Sequence, residues 1–410
     1  MRILHTADLH MDRTFEGLKN LPEVIIKKLQ QANQTLITKI VNKAIALDVD
    51  LVIFAGDNFH QSRTSIQMQS LFINELKRLE EVNIPVVLTF GNHDYYNKDR
   101  YWFAFPENVF VFASEQVETI HLLSKQKETI AISGFSYEHP WINEDKLTNF
   151  PIRDSKAAIH IGIYHGDSIR GSEQRYAPFS LSEMKAKGYD YWALGHIHQP
   201  QILSTKPLIA YSGTPQGHTK KERDVKGIAI VEFNQAKPTL KFESVAEVCW
   251  HKCNCSLETC QSLQEVLSFL MNYLAQKFID IEQFCLVELQ INHIEHLNET
   301  FQIAIKNKEL LSYLHEALLQ NQLNNLWITD VVINNNQKDD KYYLNATSEL
   351  IHQLAKNYLQ PTIFSDITRE LTENPVGSKI LTIDEKWRQQ CVDQTYKKIS
   401  EDFIIQEDPS

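Results

Sequence analysis

The sequence predicts a mixed α/β (α+β) protein built as a two-sheet sandwich flanked by helices, followed by a small α/β module and C-terminal helices. Three observations predict it. Residues 1–240 alternate strand-like and helix-like runs, and several strand-like runs succeed one another with no helix between them, which suits a sandwich better than an all-parallel sheet. Five apolar, β-rich runs, at 2–7, 51–55, 86–90, 159–164 and 189–194, each close on Asp, His or Asn. The polar, unperiodic stretch 334–341 then separates two amphipathic helical segments from what precedes it.

The elements follow in order. After the strand at 2–7, Val24, Leu29, Leu36, Ile40, Val41 and Ala44 recur in helical register, so 22–47 reads as a long helix, with Pro22 at an early helical position. A second helix at 66–82 leads into the strand at 86–90, and a short one at 182–187 precedes the last of the five marked strands. The strands at 129–133 and 227–233 are assigned to the second sheet. Beyond Lys237-Pro238 the pattern changes: 240–255 reads as extended, 262–278 as helix, 285–291 as strand, 301–320 as helix and 327–333 as strand. This is a small α/β module in which His293 and His296 read as surface residues. Past the 334–341 linker, 347–358 places Leu350, Ile351, Leu354 and Leu359 near one face. The segment 384–403 places Trp387, Cys391, Tyr396, Ile399 and Phe403 at helical spacing. Such helices either pack on their own domain or bind a partner.

A chain of 410 residues holds two or three domains, and 43% hydrophobic with 23% charged residues is ordinary for a soluble globular protein. No apolar stretch is long enough to span a bilayer, and the N-terminus enters a strand at once rather than forming a signal peptide, which predicts a cytoplasmic protein. All six cysteines lie after residue 248, consistent with a reducing compartment. Cys249, Cys253, Cys255 and Cys260 lack the paired Cys-x-x-Cys spacing of structural zinc sites and read as an alternating strand running into a helix. The net charge of −11 is unlike the basic surface usual for nucleic-acid binding, although bound divalent metals would add local positive charge.

The strand ends read Asp8-Leu9-His10, Gly56-Asp57-Asn58, Gly91-Asn92-His93-Asp94, His165-Gly166 and Gly195-His196-Ile197-His198. In α/β sheets, ligands sit beyond the carboxyl ends of the strands, so five such ends point to one site on the edge of one sheet. Two metals need about four ligands each, with one carboxylate bridging. Asp57 is the natural bridge, with Asp8, His10 and His198 completing one metal and Asn92, His165 and His196 the other. Nitrogen and oxygen ligands without thiolate suit Mn²⁺, Fe or Zn²⁺ better than Mg²⁺. Such a pair neutralises phosphate oxygens and yields a bridging hydroxide that attacks phosphorus in line with the leaving oxygen. His93, beside a ligand, is placed to stabilise the transition state or protonate the leaving group, with Asp94 orienting it. His5, His121, His139 and His160 read as structural.

This ladder resembles the calcineurin-like metallophosphoesterases, whose pattern is Asp-x-His, Gly-Asp, Gly-Asn-His-Asp/Glu, His and Gly-His-x-His. The match runs without a gap over about residues 1–235. The resemblance implies a two-sheet metallophosphoesterase sandwich, with Asp8, His10, Asp57, Asn92, His165, His196 and His198 as metal ligands and His93 as the catalytic acid or transition-state stabiliser. A narrower resemblance is to the DNA repair exonuclease SbcD/YhaO type. It is carried by Leu4-His5-Thr6-Ala7-Asp8-Leu9-His10-Met11-Asp12, by Ala55-Gly56-Asp57-Asn58-Phe59-His60, by Tyr176-Ala177-Pro178-Phe179, and by 190–198 and 211–218. Thr214-Pro215 departs from that pattern without touching a ligand position. By this analogy His60 contacts substrate and favours exonuclease action. The family layout further implies a phosphoesterase domain at 1–240, a small α/β capping domain at 241–335, and a C-terminal helical region at 342–410 that binds the coiled-coil base of an SbcC-like ATPase of the SMC type. It also implies a homodimer.

The same metal site serves nucleases, protein phosphatases and small-substrate phosphodiesterases, so the metals alone do not decide. Arg13, Lys98, Arg100, Arg170, Arg175, Lys220, Lys221 and Arg223 follow the ligand clusters and suit a phosphate backbone. Tyr95, Tyr96, Tyr101 and Trp102 suit unpaired bases. With the resemblance, these predict a DNA exonuclease, possibly also an endonuclease, acting in repair with Mn²⁺. The alternative is a small-substrate phosphodiesterase or phosphatase. A non-catalytic assembly factor would not need the intact ligand set.

Overall fold

In the computed structural model, strands and α-helices run through the described residues of the first part. In chain order they are β1 (Arg2–Thr6), α1 (Glu23–Ala46), β2 (Leu51–Ala55), α2 (Ile66–Glu81), β3 (Val86–Thr89), β4 (Val109–Val111), β5 (Glu118–Leu123), β6 (Thr129–Gly134), β7 (Ile159–His165), α3 (Leu181–Ala186), β8 (Tyr191–Gly195), β9 (Gln201–Thr205), β10 (Leu208–Tyr211), β11 (Ile228–Asn234) and β12 (Lys237–Glu243). Then come β13 (Val248–Ser256), α4 (Leu263–Phe278), β14 (Phe284–Asn292), α5 (Glu299–Lys306), α6 (Glu309–Gln320) and β15 (Leu326–Ile333). The structure describes residues 1–168, 175–223, 227–234, 237–294, 296–333, 342–369 and 384–406.

The fold is a mixed α/β sandwich. One six-stranded sheet has the order β12-β11-β1-β2-β3-β4 and the other β5-β6-β7-β8-β10-β9. Strands β1 to β4 run parallel, as do β6, β7, β8 and β10, while β11, β12, β5 and β9 pair antiparallel with their neighbours. The alternation within each strand explains both layers. Ile3, Leu51, Ile53 and Val87 face Ile132, Ile161, Ile163 and Ala193 between the sheets. Leu4, Val52, Phe54, Val86 and Leu88 face Leu36, Ile40, Phe72 and Leu76 of α1 and α2. Strands buried on both faces read as continuous apolar runs, which is why 51–55 and 86–90 were legible. The second helix begins where Ser65 accepts a hydrogen bond from the Met68 amide at 3.2 Å.

Three expectations change. The five marked strands do not share one sheet: β1, β2 and β3 lie in the first, β7 and β8 in the second. The strand predicted at 227–233 belongs to the first sheet rather than the second, paired antiparallel with β1 from Arg2↔Glu232 to Thr6↔Ile228. Its apolar alternation would fit either sheet, and only the long-range pairing assigns it. The helix predicted at 301–320 is two helices, interrupted where Lys308 takes a left-handed conformation at φ 62°.

The small parallel sheet β13-β14-β15 packs one face on α4, α5 and α6. Its other face sets Val248, Trp250, Leu286 and Trp327 against Ile25, Leu29 and Ala32 of α1. Met1–Ile333 thus form one compact unit. Asn334–Ser410 form another, with β16 (Tyr342–Thr347), α7 (Ser348–Tyr358), α8 (Pro361–Ile367), α9 (Glu385–Asp402) and β17 (Phe403–Gln406). Within it β16 and β17 pair in parallel, and Phe364 meets Trp387 edge-on at 5.8 Å. The linker expected at 334–341 lies outside the described residues. No helix among the described residues is long and apolar enough to cross a membrane.

Candidate active site

Each predicted ligand leaves the carboxyl end of a strand at or just after its last residue, and the backbone turns sharply there. Asp8, His10, Asp57 and His196 have φ of 54°, 44°, 52° and 101°, left-handed values that cost non-glycine residues roughly 1–3 kcal/mol each. Gly56 has φ 91°, and a Cβ there would stand 2.5 Å from His165 Nδ1, so only glycine lets the β2 loop approach this ring.

The turns bring two donor sets together around Asp57. His10 Nε2 lies 3.7 Å from Asp57 Oδ2 and 3.2 Å from His198 Nε2, and Asp8, His10 and His198 hold ligand atoms within 4.8 Å of one another. On the other side His165 Nε2 lies 3.5 Å from Asp57 Oδ2 and 3.2 Å from Asn92 Oδ1, which is also 3.1 Å from His196 Nδ1. The outer hydrogen bonds orient these rings. His165 Nδ1–H donates to the Ala55 carbonyl at 2.9 Å and His198 Nδ1–H to Glu222 Oε1 at 2.5 Å, leaving both Nε2 lone pairs aimed inward. Lone pairs of nitrogen and carboxylate that converge at such distances are satisfied by a cation between them. The donor set therefore fits divalent metals of the nitrogen- and oxygen-binding class.

The electrostatics carry the same mark. Burial pushes the Asp8 carboxyl up to about 6 against the pull of His165 and His198. Burial likewise opposes ionisation of Asp57, but the His165, His10 and His93 rings outweigh it and hold this carboxyl well below its ordinary range. His165 is pulled up to about 9 despite its burial, by the Asp57 charge and hydrogen bond. Burial lowers His196 to about 3. Glu222 falls to about 2 because its bond to His198 outweighs burial.

His93 is exposed and its ring stacks on His60 at 4.7 Å, with His10 edge-on beneath both. Its amide donates to Asp57 Oδ1 at 2.9 Å and its Nδ1 lies 3.2 Å from the His60 carbonyl. Asp94 does not orient this ring. Its buried carboxylate accepts from the amides of Gly91 (2.7 Å), Asn58 (2.8 Å) and Asp57 (3.2 Å) and from Asn58 Nδ2 (2.9 Å), tying the β2 and β3 loops together. The carboxylate points back into the protein because the loop amides concentrate donors there.

Several residues predicted to meet nucleic acid have partners within the chain. Arg13 pairs with Glu16 at 2.9 Å and Glu222 at 3.2 Å. Lys220 and Arg223 both reach Glu288, and Arg100 lies over the Tyr95 ring. Tyr96 and Tyr101 pack on Phe90 as part of the core. Lys98, Arg175, Lys221 and Trp102 are exposed, and Arg170 lies outside the described residues. His5 bonds Tyr191, His160 bonds Ser133, and His121 and His139 pair with Asp154 and Glu115. Sequence reasoning missed Glu222, which no local spacing ties to His198, and Tyr176, whose ring lies 4.7 Å from His196.

Residues 1–200 match the calcineurin-like phosphoesterase family. The chain is 32% identical over 255 residues to the metallophosphoesterase YhaO of Bacillus subtilis (strain 168), itself uncharacterized, covering 62% of each protein. It is 26% identical over 372 residues to the SbcD subunit of the SbcCD nuclease of Bacillus subtilis (strain 168), covering 78% of this chain and 90% of that one. It is 23% identical over 275 residues to the DNA double-strand break repair protein Mre11 of Methanopyrus kandleri, covering 62% of this chain and 58% of that one. The aligned part thus spans less than two thirds of the YhaO and Mre11 proteins. With the strand-end donors in the order of that family's pattern, residues 1–200 of this chain are a calcineurin-like phosphoesterase domain.

Proposed function

We propose that this chain is a divalent-metal-dependent phosphodiesterase that cleaves DNA in repair, in the cytoplasm, in concert with an SMC-type ATPase. The observation that carries the reading is the His60–His93 stack, with His93 exposed, set over two donor sets that share the buried Asp57. Metals held there, of which Mn²⁺ suits the donors best, would offset the charge of phosphate oxygens and supply an acidified water. The chain's own residues do the rest. With Nδ1 committed to the His60 carbonyl, His93 presents Nε2 to the substrate, where a proton can pass to the leaving oxygen. The His93 amide holds Asp57 Oδ1, so the same residue fixes the shared carboxylate. Lys98, Arg175 and Lys221 are exposed and would meet the phosphate backbone, and the region 342–410 would bind the ATPase. The names of two relatives, a DNA double-strand break repair protein and a nuclease subunit, support the choice of substrate.

The internal pairing of Arg13, Lys220 and Arg223, together with the net charge of −11, favours a second reading, a phosphodiesterase for small substrates. One experiment separates them: the purified chain with Mn²⁺ on linear single- and double-stranded DNA, beside bis-p-nitrophenyl phosphate and a His93→Ala control. DNA cleavage that falls roughly 10²–10⁴-fold in the variant, with metal still bound, supports the nuclease. Diester hydrolysis with no DNA cleavage, even with the ATPase added, refutes it.

A further inference from the structure

Three groups of metal-ligand chemistry meet on the small sheet, outside the donor sets above. The parallel register sets Cys249 of β13 directly beside Cys285 of β14. His251, two residues along the strand, shares the face of Cys249 because strand side chains alternate. Cys249 Sγ lies 3.5 Å from Cys285 Sγ and 3.1 Å from His251 Nε2, and all three ligand atoms fall within 4.8 Å of one another. The sulfur separation is far longer than the roughly 2.05 Å of a disulfide. Zinc binds thiolate at ~2.3 Å and imidazole at ~2.0–2.1 Å in a tetrahedron, which sets its ligand atoms about 3.5–3.8 Å apart. The cluster is therefore spaced as a ligand set, drawn in by a few tenths of an ångström at the imidazole.

We propose that Cys249, His251 and Cys285 bind a zinc ion, with water in the fourth position. Cys285 is buried while Cys249 and His251 are half-buried, which leaves one side of the cluster to water. The Phe278 ring stands edge-on to His251 at 5.3 Å and holds its orientation. Thiolates with imidazole select zinc over manganese or magnesium, so this site takes a different ion from the thiolate-free strand-end set.

The site joins β13 to β14 where β13 also holds the sandwich. Trp250, between the two ligands of β13, faces the opposite side and donates its Nε1–H to the Gly217 carbonyl at 3.0 Å. Gln216 donates to the Val248 carbonyl at 2.7 Å. Five residues beyond Gly217 stands Glu222, the partner of His198. An ion at Cys249 thus stiffens the strand that anchors this loop, and its removal lowers the melting temperature of the unit.

Cobalt(II) titration of the reduced, metal-stripped full chain tests the proposal. The strand-end site has no thiolate, so a sulfur-to-cobalt charge-transfer band reports a cysteine site alone. The expected result is a band bleached by one equivalent of zinc and absent in Cys285→Ser. His251→Ala keeps both thiols and guards against a variant that merely misfolds. It should weaken zinc binding by roughly 100-fold or more, since even outer partners of a ligand are worth ~10–100-fold. No band in the wild-type chain, or a band unchanged in both variants because Cys253, Cys255 or Cys260 supplies it, overturns the proposal. So does a Cys249–Cys285 disulfide in protein isolated from reducing cells.

Discussion

Replacing Asp94 by alanine separates a structural from a catalytic role for this carboxylate. In the structure it is buried and accepts from the backbone amides of Gly91, Asn58, Asp57 and Phe59, and from the Asn58 side chain, which also donates to the Thr89 carbonyl at 3.0 Å. The alanine variant strands these amides. Each buried donor without a partner costs ~1–3 kcal/mol, and water admitted to the vacated space recovers part of it. A net loss of about 3–5 kcal/mol is expected, as for other broken buried charge networks. For a unit of this size that is a fall in melting temperature on the order of 4–7 °C. Since Asp57 and the Gly91–Asn92 turn lose their common anchor, metal affinity should fall roughly 10–100-fold as well. Calorimetric melting and metal titration, run beside His93→Ala, measure both. His93→Ala should melt and bind metal like the wild type while losing turnover. If Asp94→Ala instead melts within a degree or two of wild type, binds metal normally and loses turnover like His93→Ala, the carboxylate acts on the His93 ring and the reasoning fails.

Glu222→Gln keeps an acceptor for the His218 and Thr219 amides but removes the charge from His198 Nδ1. Metal affinity should drop roughly 10-fold or more with little change in fold, read by isothermal titration; unchanged affinity would remove Glu222 from the site. Acid stability has a defined source in His5. Burial, only partly opposed by the hydrogen bond to the Leu194 backbone, lowers it from 6.5 to about 3 in the fold. The folded state therefore binds fewer protons than the unfolded state. This contribution is complete above pH 6.5 and is lost as pH falls towards 3, amounting to about 2 kcal/mol by pH 5. His5→Gln should be less stable at pH 7 yet lose that much less on going to pH 5, in denaturant titrations at both values; equal losses would refute the assignment.

The strand-end donors were legible because metal ligation at the edge of a sheet leaves a local record. A β-rich run must end on Asp, His or Asn, and residues 8, 57, 92, 165 and 196 each keep that record within a few positions of the strand. The helices at 22–47 and 66–82 were legible for the same reason, since amphipathic spacing is local. The cysteines were not: Cys249 looked like one residue of an alternating strand, and its neighbour Cys285 stands in a different strand.

By itself the sequence determined the identity of the chemical groups, their order along the chain, and the class of fold that would bury the apolar runs. Tertiary structure alone decided which groups meet. It moved the β11 strand to the edge beside β1, brought donors from two sheets to Asp57, turned Asp94 away from His93, paired Arg13 with Glu222, and placed His251 and Cys285 around Cys249. The physical reason is one of range. Period and capping act over a few residues and are written locally, whereas sheet register and the partners of a charged side chain are set by contacts between residues distant in sequence, where burial and the competition for hydrogen bonds select one arrangement.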